Sequence, residues 1–307
     1  MNRIGTLEKL GLPSSDLHNL PTSKKRFPDG GQFRIEIPDT ENPEQLKRVV
    51  ERSRQYNFNA HRVSEDSGIT LMTDEELHEM AAIGKAEGIE VSLFIGPRAG
   101  YDTGGQAKSP MGGILGKRAR GMDQVVYAIA NVRRAADAGI RSFLVADEGL
   151  LWVLNEMRKN DEIPKDSLFK VSFSIGQCNP ASAKLLENLG GGTFNIPSDL
   201  TLAQIAAIRN AINIPIDMYV TTPGPGGGFI RIEEAHEIVR VAAPIYLKFG
   251  SPLTMNLFPA GEHVKAALLS LTDEEVRLAK ITIDLIQSRD PNLKASPRRS
   301  AEPGIPI

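Results

Sequence analysis

The sequence predicts a (β/α)8 barrel, and three observations lead there. Eight strand-like segments alternate with eight helical ones between residues 33 and 288. The strand segments alternate apolar and polar residue by residue, whereas the helices carry the 3.6-residue period. A chain of 307 residues accommodates one such barrel with short flanking segments. A doubly wound open sheet is the competing architecture, but sheets of that type more often carry five or six strands.

Residues 1–32 are polar and irregular (SSD, PTSKKR, PDGG) and read as an N-terminal arm outside the core, with one short helix near Leu7–Leu10. FRIEIP (33–38) is the first strand, and its helix has Pro43 near the first turn, where a missing N–H is tolerated. AHRVSE (60–65) is the second, followed by a helix with a Thr73–Glu76 capping box and Gly88 as its stop. IEVSLFIG (89–96) is the third. A long glycine-rich loop then runs to Gly121, ahead of a helix stopped by Gly139. RSFLVADE (141–148), KVSFSIG (170–176), GTFNIP (192–197), IDMYVTT (216–222) and PIYLKFGS (244–251) are strands four to eight. The helix after strand six has a Thr201–Gln204 capping box, and the last helix a Thr272–Glu275 box. Residues 289–307 hold four prolines and little apolar content, a composition that reads as an unordered tail. The expected organisation is an arm (1–32), a barrel (33–288) and a tail (289–307).

Composition narrows the function classes. Hydrophobic residues make up 41% and charged residues 24%, which excludes a wholly disordered chain. A net charge of -2 gives no basic field to hold nucleic acid or an anionic membrane. One cysteine, Cys178, excludes a disulfide framework, a four-thiolate zinc site and a four-cysteine iron–sulfur cluster. No apolar run reaches about 18 residues, so no membrane span is expected. The first twenty residues lack the apolar core of a secretory signal, and a cytoplasmic location is the expectation.

Strand alternation assigns the barrel interior. Phe33, Ile35 and Ile37 should face the helices, leaving Arg34 and Glu36 inside. The same reading puts Arg62, Ser64, Glu90, Ser92, Phe94, Lys170, Ser172, Ser174, Asn195, Asp217, Tyr219, Thr221, Tyr246 and Lys248 inside. It sends Phe173 and Ile175 outward and leaves the fourth strand ambiguous. Such interiors are usually Val, Ile and Leu, and an unpaired buried charge costs several kcal/mol. These charges must therefore pair or bind something. Closure sets strand eight beside strand one, which brings Lys248 to Glu36.

Active sites in this fold lie at the C-terminal ends of the strands. Those ends offer Asp39, Glu65, Asp66, Arg98, Asp147, Glu148, Gln177, Cys178, Asn179, Asp199, Thr221, Thr222, Gly250 and Ser251. Carboxylates beside cations suit general acid/base work, so Glu36, Arg62, Asp147, Glu148 and Lys248 are the catalytic candidates. Ser64, Asp66, Arg98, Ser174, Cys178, Asn195, Tyr219, Thr221, Gly226, Gly227, Gly250 and Ser251 are the substrate-binding candidates. The carboxylates leave Mg²⁺ or Mn²⁺ open as a cofactor. Zinc is disfavoured, since the five histidines form no H-x-H or H-E-x-x-H. Schiff-base chemistry at Lys248 needs a lowered pKa, which Glu36 nearby would oppose. TTPGPGGGF (221–229) after strand seven could cradle an anion, although it is neither a Walker loop nor G-x-G-x-x-G. The loop 97–121, with Arg98, Lys108, Lys117, Arg118 and Arg120, suits a lid carrying cations over an anionic substrate.

SFLVADEGLL (142–151) and KVSFSIGQCNPASAKLLENLGGGTFNIPSDLTLAQIAAIRNAI (170–212) resemble segments of the peptidase family U32 barrel, over residues 141–213 in the main. The resemblance implies a (β/α)8-type domain and peptidase activity. Other members of that family support hydroxylation of RNA or quinones through a four-cysteine iron–sulfur site, which one cysteine cannot supply. Where the family has an H-G-A-M-C motif after strand seven, this chain has TTPGPGGG.

The expectation is an enzyme, hydrolase or lyase, acting on a small carboxylate or phosphate substrate at the barrel mouth. The alternatives are a non-catalytic barrel serving as a binding partner, or a nucleic-acid-modifying enzyme. Homo-oligomerisation is left open.

Overall fold

The computed structural model describes residues 5–96, 109, 115–250, 257, 259–298 and 302–307. Helix α1 (Gly5–Lys9) lies in the arm. The barrel follows as β1 (Phe33–Ile37), α2 (Pro43–Gln55), β2 (Arg62–Ser64), α3 (Asp74–Glu87), β3 (Glu90–Phe94), α4 (Gly121–Asp137), β4 (Ser142–Val145) and α5 (Glu148–Lys159). It continues as β5 (Leu168–Val171), α6 (Pro180–Asn188), β6 (Thr193–Asn195), α7 (Leu202–Ala211), β7 (Ile216–Thr221), α8 (Ala235–Ala242), β8 (Ile245–Phe249) and α9 (Lys265–Arg289). The eight strands are all parallel and close in sequence order, β8 pairing with β1. This is the (β/α)8 barrel that the alternation predicts. Among the described residues no helix is long and apolar enough to cross a membrane.

Register sets the interior. Glu36 lies opposite Arg62 on one side and Lys248 on the other. Arg62 lies opposite Glu90, and Tyr219 opposite Lys248. The alternate residues Phe33, Ile35, Val63, Val91, Phe143, Phe169, Phe194, Met218 and Leu247 form the core between strands and helices. Each such side chain contributes about 1.5–3 kcal/mol by leaving water. The fourth strand resolves with Phe143 and Val145 outward and Leu144 inward, where it joins Phe94 and Ala146 in a small apolar layer inside the barrel.

The Thr73–Glu76 and Thr201–Gln204 capping boxes form, and Gly88 ends α3 at φ 64°. Three expectations need correction. Thr272 is not an N-cap: α9 begins seven residues earlier, at Lys265, because KAALLSL continues the helix and buries Leu268. Thr272 Oγ1 instead donates to the Leu268 carbonyl at 3.0 Å, inside the helix. Strand β5 stops at Val171, and a 3-10 turn over Phe173–Ile175 swings Phe173 inward onto the Tyr219 ring, 5.9 Å away and edge-on. Ile175 does join the outer core.

The third correction concerns the segment expected to be an unordered tail. Leu293, Ser296 and Ile305 are buried. Ala295 runs parallel beside Phe33, and Ser296 N donates to the Phe33 carbonyl at 2.9 Å. The segment crosses the N-terminal end of the barrel and caps it. Glu302 grips Arg34 with two bonds of 2.8 and 2.9 Å, and Asp29 of the arm takes its other face at 2.7 Å. Phe27 of the arm is buried against Tyr246, edge-on at 5.2 Å, with the Arg34 guanidinium 4.0 Å over its ring. Composition misleads here because a few apolar anchors and one charge pair suffice when the rest of the strap is stitched by backbone bonds. The arm is irregular as expected, yet it is part of this closure.

Leu293→Ala should lower stability by about 2–3 kcal/mol in urea unfolding, as for a core truncation. A change near zero would return the segment to the status of a tail.

Candidate active site

The barrel axis is occupied by charge. Arg62, on the short strand β2, reaches three carboxylates: Glu36 at 3.1 Å, Glu90 at 2.8 Å and Asp217 at 2.9 Å. Glu36 also receives the Lys170 ammonium, the Lys248 ammonium at 3.2 Å and the Ser64 hydroxyl at 2.8 Å. Thr193 donates to Asp217 at 2.7 Å and Ser142 to Glu90 at 2.7 Å. Three cations thus meet three carboxylates, all essentially excluded from solvent. Tyr246 floors the group, its ring 3.5 Å from the Arg62 guanidinium carbon.

The electrostatics of the lattice follow from its geometry. Burial pushes the Glu36 carboxyl up, but Lys170, Lys248 and Arg62 outweigh it and hold the group below the ordinary carboxylate range. Burial lowers Lys170 to about 8 against the pull of Glu36, so both remain charged at neutral pH. Burial leaves Asp217 raised despite Arg62.

Lys248 is where the lattice meets the mouth. Its ammonium sits 4.1 Å over the Tyr219 ring as well as against Glu36. Asn195, with its amide turned to satisfy both ends, accepts from Lys248 Nζ at 3.0 Å and donates to the Asp217 carbonyl at 3.2 Å. Burial and the charges of Asp39 and Asp66 keep the Tyr219 phenol protonated.

Above Lys248, at the C-terminal ends of β1 and β2, stand Asp39, Glu41, Glu65 and Asp66. Three of them are engaged. Glu41 accepts from the Asp66 and Ser67 amides at 2.9 and 3.0 Å. Glu65 accepts from the Gly68 and Phe94 amides, the latter at 3.1 Å. Asp66 pairs with Lys117 at 3.4 Å, and Lys117 lies 5.5 Å over the Phe173 ring. Burial and Glu65 push the Glu41 carboxyl well up.

Asp39 differs. Its carboxylate accepts no hydrogen bond among the described residues, and it is only half-buried. Its backbone holds the left-handed conformation at φ 53°, which is uncommon outside glycine. Neighbours pin it there: Gln45 Nε2 donates to the Asp39 carbonyl at 2.9 Å, and Thr40 N to the Ser64 carbonyl at 3.0 Å. Burial, then Asp66 and Glu41, push the Asp39 carboxyl up to about 7, with Lys248 and Lys117 pulling the other way. A strained, unpaired carboxyl poised near neutrality at a barrel mouth suits proton transfer. Sequence reasoning placed Asp39 at the strand end without selecting it, because neither its φ nor its lack of a donor shows in the residue type.

The remaining candidates fall into two groups. Those brought to the lattice or mouth are Glu36, Ser64, Arg62, Asp66, Asn195, Tyr219 and Lys248. Ser174 is buried in the turn after β5. Thr221 Oγ1 donates to the Gly250 carbonyl at 2.9 Å, and Gly250 N to the Thr221 carbonyl at 2.9 Å. A Cβ on Gly250 would lie 2.7 Å from Pro223 Cδ, so glycine is what lets the strand-seven loop pack there. Asp147 caps α5, accepting from Leu150 N at 2.9 Å, and Glu148 is held by Arg118. Cys178 is exposed beside the cap of α6. The Gly226 and Gly227 amides donate to the Pro223 and Gly224 carbonyls at 2.8 and 3.0 Å, so in this conformation they do not point at an anion. Arg98, Lys108 and Ser251, with most of the loop proposed as a lid, lie outside the described residues. No group of three or more His, Cys, Asp or Glu side chains is placed to hold a metal ion among the described residues.

No family model and no curated protein matches the chain. Among solved structures, the YdjI aldolase from Escherichia coli K12 is 13% identical, covering 86% of this chain and 92% of that one, with a TM-score of 0.48. A 3-hexulose-6-phosphate synthase is 12% identical over 81% of this chain and 99% of that one, with a TM-score of 0.43. A U32 peptidase is 17% identical over 64% and 73%, with a TM-score of 0.41. Likeness this distant carries no argument about chemistry.

Glu36→Gln should cost about 3–5 kcal/mol in denaturant unfolding, because it strands Lys170 and Lys248 as buried cations. Adding Lys170→Met should recover part of that loss. A double variant as unstable as the two single losses combined would show that the pair is not coupled.

Proposed function

We propose that the chain is an enzyme of the lyase type, acting at the C-terminal mouth on a small substrate that carries a carboxylate or phosphate. The observation that carries this reading is Asp39, whose carboxyl has no hydrogen-bond donor among the described residues, stands near 7 and lies within the fields of Lys248 and Lys117. A base next to fixed cations suits removal of a proton from carbon beside a carbonyl or carboxylate. The electron pair would pass to the carbonyl oxygen facing Lys248, whose position Glu36, Asn195 and Tyr219 fix. Collapse of that charge would break the bond to the leaving group, which takes the proton back from Asp39. Lys117 would receive the substrate's anionic end. Glu36 and Arg62 act here by positioning Lys248, since both are sealed from solvent and tied into the ion-pair lattice. In the hydrolytic version that the U32 resemblance implies, Asp39 would activate water instead.

Exchange of substrate hydrogen for solvent deuterium separates the two. Pyruvate and dihydroxyacetone phosphate, followed by proton NMR in D2O, are the probes. The native protein should exchange the hydrogens next to the carbonyl of at least one, with a rate that rises with pH to a plateau above about 7. Asp39→Asn should reduce it by about 10²-fold or more. No exchange with either probe would overturn the carbon-acid reading.

Asp39 also makes a stability prediction. A carboxyl raised in the folded state binds more protons there than in the unfolded chain, so its ionisation costs stability as pH rises towards and through about 7. Asp39→Asn should therefore raise Tm more at pH 8 than at pH 4. An equal shift at both would mean that the carboxyl titrates normally.

A further inference from the structure

We propose that the chain forms a two-fold homodimer in which the outer face of α4 pairs antiparallel with its own copy. Nothing in it depends on the chemistry proposed for the mouth.

Asp123, Val126, Ala130, Arg133 and Asp137 recur at spacings of three and four, so they share one stripe of the helix. All five are exposed, whereas Gln124, Ala128, Val132, Ala135 and Ala136 are buried on the opposite face. Met122 and Tyr127 flank the stripe, and Met122, Val126 and Tyr127 are 71%, 53% and 58% exposed. Large apolar side chains gathered on one helix face mark an interaction surface rather than scattered exposure. Trp152, on the next helix around the ring, is 56% exposed and adds an aromatic of the kind enriched at interfaces.

The charges select the occupant. Along the stripe the order is acidic (Asp123), apolar (Val126), small (Ala130), basic (Arg133). Antiparallel pairing centred on residue 128 sets Asp123 of each copy opposite Arg133 of the other, and Val126 opposite Ala130. A two-fold axis repeats both contacts, as an isologous interface requires. A parallel copy would instead set acid on acid and base on base. Ala130 lets the two axes approach towards the lower end of the 8–10 Å range of packed helices. Arg133 touches Glu162 at 3.3 Å within the chain, yet its side chain stays 53% exposed and its five N–H donors exceed what that one contact uses.

Light-scattering mass across a dilution series up to roughly 100 µM tests the proposal. The expected mass for the native protein is twice 33.4 kDa. Val126→Lys should give the single-chain mass with an unchanged circular dichroism spectrum, since a lysine at that exposed position can reach solvent in the monomer. Asp123→Lys and Arg133→Glu should each weaken the dimer by about tenfold or more, and the double variant should restore it. A single-chain mass for the native protein at the highest concentration overturns the proposal. So does a dimer that all three single substitutions leave intact, which would place the interface elsewhere.

Discussion

Everything inside this barrel depends on Glu36 accepting two ammonium groups, a guanidinium and a hydroxyl at once. Three cations converging on the axis from β2, β5 and β8 would repel one another and could not stay ionised away from water. One carboxylate at the crossing of β1, β2 and β8 joins them, and Asp217 and Glu90 complete the balance through Arg62. The lattice takes the place that layered hydrocarbon occupies in most barrels of this kind. It places the Lys248 ammonium at the floor of the mouth, its position set by register rather than by a flexible loop.

That arrangement divides labour along the axis. Groups deep in the barrel are ion-paired with one another and sealed from solvent, so they hold geometry. At the rim Glu41, Glu65 and Asp66 are engaged by backbone amides and Lys117. Asp39 differs, an acid whose backbone is clamped while its side chain has no hydrogen-bond donor among the described residues. In the proposed reaction, pre-organisation would come from the lattice below and proton exchange from the rim above.

How much of this can be read in the sequence follows from how local each feature is. Strand alternation alone assigned Arg34, Glu36, Arg62, Lys170, Asp217 and Lys248 to the interior, because period two is a property of consecutive residues. It could not tell saturated groups from available ones, since Arg62 acquires its partners from three other strands. Thr272 and Glu275 match a capping signature letter for letter, but the preceding apolar turn carries the helix through them. The proline-rich composition of 289–307 hid a strap whose anchoring depends on Arg34, far away in the chain. Asp39 escaped selection because its distinction lies in a dihedral angle and in the lack of a donor among the described residues.

The strap also sets a schedule. Arg34 and Glu302 are separated by 268 residues. At synthesis rates of 5–20 residues per second, their meeting waits about 13–54 s after Arg34 is made. Until then the lower end of the barrel is open to water, and early folding must proceed around an interior whose charges are still hydrated. Dehydration of the axis is thus a late event, coupled to the arrival of a segment with few apolar residues of its own.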